Sequence, residues 1–156
     1  WYGIRTSLLV SVVSVCLGLV VGVLLGLIAG YFRGRIESVI GWGTDILLAF
    51  PSILLAIAIV TVTGPSLPSV MVAVGVVQIP IFTRLTRAMV LSLREQEFVQ
   101  AARALGATSD RLLLRHILPA CLPPVVVQAT LAIGTATLEA AGLGFLGLGA
   151  QPPTPE

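Results

Sequence analysis

The sequence predicts an all-α membrane protein, a helical bundle with about four transmembrane helices, and three observations lead to this prediction. The 156-residue chain has a mean hydropathy of +1.04. Only 10% of its residues are charged, whereas a soluble domain carries about 25%. Its apolar residues are gathered in long runs without any charge. Four such runs in so short a chain leave too little polar surface to enclose them in water.

The charge-free runs define the expected spans of a single membrane domain. No charge lies between Arg5 and Arg33, and this stretch of 27 residues exceeds the ~20 that a helix needs to cross the hydrocarbon core. The run between Asp45 and Arg84 is too long for one span, and turn residues interrupt it at 63–68. A further run precedes the C-terminal region. We expect spans at about 6–32, 44–62, 69–90 and 119–140.

Proline modifies two of these spans, and glycine the segment that follows the last one. Pro51 and Pro80 are expected to kink the second and third spans, because each removes a backbone hydrogen bond. Four glycines fall within residues 142–149 and argue against a regular helix there.

The arginines indicate the orientation. If the connections at 33–44 and 84–118 lie on one side, that side holds eight of the nine Arg residues. Cytoplasmic loops carry such an excess of positive charge. We therefore place both connections in the cytoplasm and expect the loop 63–68 and the tail 151–156 to face outward.

Residue types exclude several kinds of chemistry. All nine basic residues are Arg, so no P-loop and no Schiff-base lysine can form. One His and two Cys leave no zinc site. Ser109, Asp110 and His116 have the wrong spacing for a catalytic triad. We expect no catalytic residue, metal ligand or cofactor, and no binding of nucleic acid.

Small residues form a stripe along the first span. Gly18, Gly22, Gly26 and Gly30 recur at a spacing of four, which places them on one helix face. Such a face lets another helix approach closely in lipid. The packing partner is either inside this chain or in a second subunit.

Three polar residues in or near the spans are singled out. Gln78 either lines a polar pathway or hydrogen-bonds a neighbouring helix. Glu139 lies near the outer end of the last span, where a carboxylate is costly unless it meets water or a partner. It makes a structural hydrogen bond or belongs to a translocation path. Asp45, at the end of its span, is expected to be an interfacial anchor.

The connection 91–118 is patterned like two short helices at an angle. Ser92 and Glu95 form a possible capping box for the first, and Gly106 is expected to end it. Thr108 or Ser109 can cap the second. The first helix carries an apolar face made of Phe98, Ala101, Ala102 and Leu105. A surface of this kind suits docking into a groove of another protein.

This connection resembles a known family. Residues 97–107, followed by Arg-His-Ile-Leu-Pro at 115–119, resemble the EAA loop of ABC importer permeases, in the form of the second ("C") subunit of the dipeptide, oligopeptide and nickel systems. Further stretches agree, at 2–8, 45–52, 64–67, 145–149 and 151–155. One position departs from the pattern, since Gln100 stands where the motif has its Glu.

The resemblance implies a fold, partners and a function. The chain would be the central four of six helices of a multi-pass permease in the inner membrane of a bacterium or archaeon. It would pair with a second homologous permease, dock two cytoplasmic ATPase subunits and receive cargo from an extracytoplasmic substrate-binding protein. It would hydrolyse nothing itself. The implied coupling residues are Glu97, Phe98, Gln100, Ala101, Ala102, Leu105 and Gly106.

The cargo and one rival class remain open at this point. Peptides are the first expectation for the cargo, followed by nickel or another small solute. The rival is a secondary transporter or channel that needs no ATPase. Two observations favour the importer. Few ionisable groups lie within the spans, and the connection 91–118 is patterned like two short helices with an apolar face.

Overall fold

The computed structural model describes residues 2–149, and they form helices joined by short turns. The helices are α1 Tyr2–Tyr31, α2 Arg35–Ala49, α3 Ser52–Thr63, α4 Leu67–Leu93, α5 Glu97–Ala104, α6 Ser109–Leu112 and α7 Leu118–Phe145. A π-helical turn, Leu113–Ile117, joins α6 to α7. No strand occurs within this part of the chain. The tail expected to face outward, 151–156, lies outside the described residues.

Three helical segments are long and apolar enough to cross a membrane. They are α1, α4 and the continuous run from α6 through α7, and a fourth arises if α2 and α3 together count as one span. The prediction of an all-α membrane bundle is confirmed. Apolar side chains cover much of its outer surface, as a bilayer-embedded protein requires.

The region of the second predicted span, 44–62, contains the end of one helix and all but the last residue of another. The axes of α2 and α3 meet at 94°, and Phe50 between them is extended, with φ −93° and ψ 137°. The ring of Pro51 disfavours helical backbone at the preceding residue, which accounts for the break. By contrast, α4 continues through Pro80 as one helix.

The two ends of the bundle are defined by contacts between α1 and the continuous helical run 109–145, which is antiparallel to α1. Ser11 and Thr137 share a hydrogen bond of 2.8 Å between their hydroxyl oxygens. At the other end, the Tyr31 hydroxyl donates to Ser109 Oγ at 3.2 Å. The end of α1 that carries Tyr31 therefore lies beside the connection 91–118.

The glycine stripe of α1 packs against α4 inside this chain. A Cβ added at any of the four glycines would lie 2.6 Å from a Cβ of α4, in the pairs Gly18–Gln78, Gly22–Phe82, Gly26–Thr86 and Gly30–Val90. Both partners in these pairs advance by four residues at each step, so α1 and α4 run parallel. We call this contact the glycine seam.

The last helix extends beyond the expected end. It runs to Phe145 and includes Gly142 and Gly144, although the glycine content of 142–149 predicts no regular helix there. A Cβ added at Gly142 would lie 3.3 Å from Ile53 Cδ1 of α3, so this turn of α7 lies close against α3. The helix ends at Phe145, and the chain turns away at Gly147, whose φ is +74°.

Candidate functional site

The helix α5 projects from the end of α4 and is held by one buried side chain. Its Val99 is 0% exposed. The backbone N–H groups of Val99 and Gln100 both donate to the Gln96 carbonyl at 3.1 Å. Glu97 lies in the first turn and Arg103 in the last, the positions at which each charge is favoured by the helix dipole.

The expected capping box does not form. Ser92 lies inside α4, which runs on to Leu93, so it cannot start the next helix. The residue before α5 is Gln96, and its side chain makes no capping hydrogen bond. The capping-box prediction is wrong because α4 remains helical for three residues beyond the predicted end of its apolar span at 90.

Gly106 ends α5 with a Schellman motif. Its φ is +84°, and its N–H donates to the Arg103 carbonyl at 3.0 Å. The N–H of Ala107 donates to the Ala102 carbonyl at 3.1 Å. These two bonds satisfy carbonyls that the helix end would leave free. Nothing lies within 4 Å of a Cβ added at Gly106, so the backbone conformation alone selects glycine here.

The apolar face of α5 is largely uncovered. Phe98 is 43% exposed and Leu105 is 90% exposed, and Ala101 is also exposed. Ala102 is half-buried and packs against the core. Phe98, Ala101 and Leu105 are therefore available to a partner, and we call them the α5 face. The sequence interpretation missed Val99, the apolar neighbour of Phe98 that turns this face outward.

The second short helix is not a separate element. The four residues of α6 pass through the π-helical turn into α7, and 109–145 form one continuous helical run. Thr108 precedes α6 but makes no side-chain cap. The wide turn lies just before Pro119, whose ring would otherwise clash with the carbonyl four residues earlier.

Arg94 ties the connection to the end of α1. Its Nη1 donates to the carbonyl of Tyr31 at 3.1 Å and more weakly to that of Gly30 at 3.4 Å. A cation at a helix C-terminus is favoured by the dipole and satisfies free carbonyls. Arg33 of the α1–α2 turn also lies 3.7 Å from Glu95. Sequence reasoning missed these ties, since the partners lie about sixty positions apart.

Gln100, the residue that departs from the family motif, faces its own chain. Its Nε2 donates to the Glu95 carbonyl at 3.3 Å. This bond closes the turn between α4 and α5. A carboxylate at the same position has no hydrogen to donate, so a Glu could not make it.

A cavity of about 340 Å³ opens beside the Gly106 turn. Its lining residues are Ala102, Leu105, Gly106, Ala107, Arg111, Arg115 and His116. The first four of these residues are apolar, and the last three contribute basic side chains to the lining. We call Arg111, Arg115 and His116 the basic rim.

The two candidates for a translocation path lie in different places. Gln78 is 1% exposed and belongs to the glycine seam, opposite Gly18, and its Oε1 has no hydrogen-bond partner. Glu139 is half-buried on α7 and faces Ser52, which hydrogen-bonds its carboxyl group. Its Oε2 is buried without a partner.

Ion pairs join α2 to α4. Asp45, expected as an interfacial anchor, lies 2.6 Å from Arg84 Nη2. On the preceding turns of α2, Glu37 accepts two hydrogen bonds from Arg87, at 3.1 Å from Nε and 2.5 Å from Nη2. Both ion pairs, Asp45–Arg84 and Glu37–Arg87, lie near the same end of the bundle as the connection 91–118.

Comparisons with known proteins agree with this architecture. Residues 22–156 match the family model described as "Binding-protein-dependent transport system inner membrane component". The chain is 56% identical over 155 residues to a dipeptide transport system permease protein, DppC, of Alkalihalophilus pseudofirmus. It is 48% identical to a di/tripeptide permease, DppC, of Pseudomonas aeruginosa, and 49% identical to a glutathione permease, GsiD, of Escherichia coli.

These relatives are longer proteins. The matches cover 99% of this chain and 51% of each relative, so the chain spans about half the length of the curated relatives it matches. A chain in inward-facing structures of the MetNI methionine ABC transporter superposes with a TM-score of 0.85. That match covers 95% of this chain and 74% of the other at 24% identity, and it shows a shared fold.

The resemblance seen in the loop motif is thus confirmed along nearly the whole chain. This chain belongs to the family of binding-protein-dependent transport system inner membrane components.

Proposed function

We propose that this chain is the membrane-spanning part of a permease subunit in an ATP-driven ABC importer, with dipeptides or oligopeptides as cargo. It forms the translocation path with a second homologous permease. Two cytoplasmic ATPase subunits dock on the connection 91–118, and a substrate-binding protein delivers cargo from outside. The chain itself is not an enzyme, in keeping with relatives that are named as permeases.

The observation that carries this proposal is the uncovered α5 face. Phe98 and Leu105 expose apolar area at the end of the bundle that holds most of the arginines, where bilayer hydrocarbon cannot cover them. Their burial in a partner's groove would contribute about 25 cal/mol for each Å² removed from water. The face is also tied to the membrane helices. Val99 is buried in the core, and Arg94, just before α5, donates a hydrogen bond to the Tyr31 carbonyl at the end of α1.

The names of the relatives support peptide cargo. Two of them are named for dipeptides or tripeptides and one for glutathione, itself a tripeptide. Nickel or another small solute is the alternative within the same mechanism. A secondary transporter or channel is the alternative of another class, and it would need no partner on the α5 face.

Glu139 is the better of the two path candidates. It lies between α7 and the start of α3, with one carboxylate oxygen unsatisfied. Gln78 faces α1 inside the seam, so we assign it to helix packing. Exposed apolar side chains elsewhere on the bundle are left for lipid or for the second permease to cover.

Uptake by the reconstituted complex separates these functions. Vesicles that contain this permease, the second permease and the ATPases should accumulate a labelled dipeptide only with ATP inside and binding protein outside. ATP-dependent uptake of nickel in place of peptide would show that the cargo is nickel and that the peptide assignment is wrong. Uptake driven by an ion gradient without ATPase subunits would reject the importer.

Cysteine labelling tests the orientation. In a background without Cys16 and Cys121, a cysteine at the exposed Pro65 should react with an impermeant reagent in intact cells. A cysteine at the exposed Ala104 should react only after the membrane is permeabilised. The reverse pattern would place the connection 91–118 outside and overturn the proposed coupling.

A further inference from the structure

We infer that the ATPase subunit presents carboxylates to the basic rim of this chain, so that docking combines the apolar α5 face with a charge-paired edge. The inference rests on the proposed function, because it names the chemistry of the partner at the same surface. It also assigns Gln100 a role within the chain, since its amide closes the α4–α5 turn.

The rim is basic and unpaired. Arg111 and Arg115 are exposed, and His116 is half-buried. None of the ion pairs found within residues 2–149 involves any of the three. Glu95, at the start of the connection 91–118, is engaged by Arg94 and Arg33. No carboxylate lines the cavity that these basic residues border.

The cavity has room for a projecting acidic side chain. It holds about 340 Å³, with Ala102, Leu105 and Ala107 on its walls. An Asp or Glu from a partner would place its methylene groups against these walls and its oxygens toward the guanidinium groups. Arginine binds carboxylates through two parallel hydrogen bonds, so two such groups at one edge select a carboxylate strongly.

The motif position cannot supply the charge contact in this chain. Where the family pattern has a carboxylate, Gln100 carries a neutral amide that donates to the Glu95 carbonyl. An ionic contact from this surface must therefore come from other residues. The basic rim is the set of unpaired charges that borders the cavity next to the α5 face.

The test is the salt dependence of ATPase retention by the complete complex. The probe is the cognate ATPase subunit, titrated against the permease pair in nanodiscs of uncharged phosphatidylcholine. Affinity should fall as salt rises, because exposed charge pairs are screened. The double variant Arg111→Gln/Arg115→Gln should bind roughly tenfold more weakly at low salt and show a flatter salt dependence.

Arg35→Gln is the matched control. Arg35 is exposed and belongs to none of the ion pairs among the described residues. Its neutralisation should leave both affinity and salt dependence unchanged. Equal behaviour of the double variant and this control would overturn the inference.

Two further outcomes separate this inference from its rivals. If the double variant weakens docking only in nanodiscs with anionic phosphatidylglycerol, the rim binds lipid headgroups and the inference is wrong. If Leu105→Asp releases the ATPase while the double variant does not, the proposed function stands and the charge pairing fails. If neither change affects retention, the docking surface itself is wrong.

Discussion

Glycine occurs for opposite reasons in the glycine seam and at the end of α5. In the seam, Gly22 is helical and has no room, since a Cβ would lie 2.6 Å from Phe82 Cβ. At the end of α5, Gly106 has open space around it but a φ of +84°. The seam is thus constrained by packing and the turn by backbone conformation. A substitution in the seam should act through the volume of the added side chain. A substitution at Gly106 should act by changing the backbone conformation of the turn.

The two regions also differ in how firmly they are packed. The contact between α1 and α4 is close at each of the four glycines of the seam, so we expect these helices to move together. The helix α5 is held by few contacts, chiefly Val99 and the ties through Arg94. We therefore expect a force on α5 to reach both helices of the seam.

The largest effect is expected from Gly22→Leu. A leucine at this position would force α1 away from α4. Overpacking typically lowers the free energy of unfolding by about 1–3 kcal/mol, and we expect a loss at or above the upper end of that range. The yield of monodisperse complex and its melting temperature should both fall sharply. Gly134→Leu is the control, because nothing lies within 4 Å of a Cβ added there. Equal yields from the two variants would mean that the α1 face contacts only lipid.

A smaller and different effect is expected from Gly106→Val. A β-branched residue is strained at positive φ, so the angle between α5 and the following segment should change. The ATPase should remain bound while ATP hydrolysis no longer drives uptake, as shown by the ratio of the two rates. Gly106→Asn should keep most of the coupling, since Asn tolerates this conformation. Normal coupling in Gly106→Val would show that the turn does not transmit motion.

Sequence periodicity and residue type anticipated much of this. Charge-free runs located α1, α4 and α7, the glycine spacing marked the seam, and Gly106 marked a helix end. The identity of the seam's partner was not predictable, because nothing in α1 distinguishes a helix sixty residues away from one in another subunit. The Pro51 break was read as a kink, since sequence gives no angle. The tie from Arg94 depends on tertiary structure alone.

Glu139→Gln tests the path assignment and should act on uptake alone. Gln has nearly the same shape and can still hydrogen-bond Ser52, so folded yield and ATPase retention should be normal. Uptake should fall several-fold if the carboxylate contacts cargo or water in the path. Normal uptake at normal yield would remove Glu139 from the path. A loss of folded protein would assign it a structural role.

The smallest effect is expected from Asp45→Asn. Its ion pair with Arg84 is largely exposed, with side chains 63% and 57% accessible, and such pairs contribute about 0–1 kcal/mol. The melting temperature should change little at moderate salt. A fall in melting temperature as large as that of Gly22→Leu would mean that the α2–α4 contact stabilises the helical bundle as much as the seam does.

The docking claim is tested most directly by ATPase retention on Leu105→Asp. Leu105 is 90% exposed, so a charge there should not unfold the chain. Burial of that charge in a partner's groove should reduce retention about tenfold or more, as expected for a central interface residue. Ala104→Asp, at an exposed position outside the α5 face, should leave retention within about twofold. Full retention with normal uptake in Leu105→Asp would contradict the account.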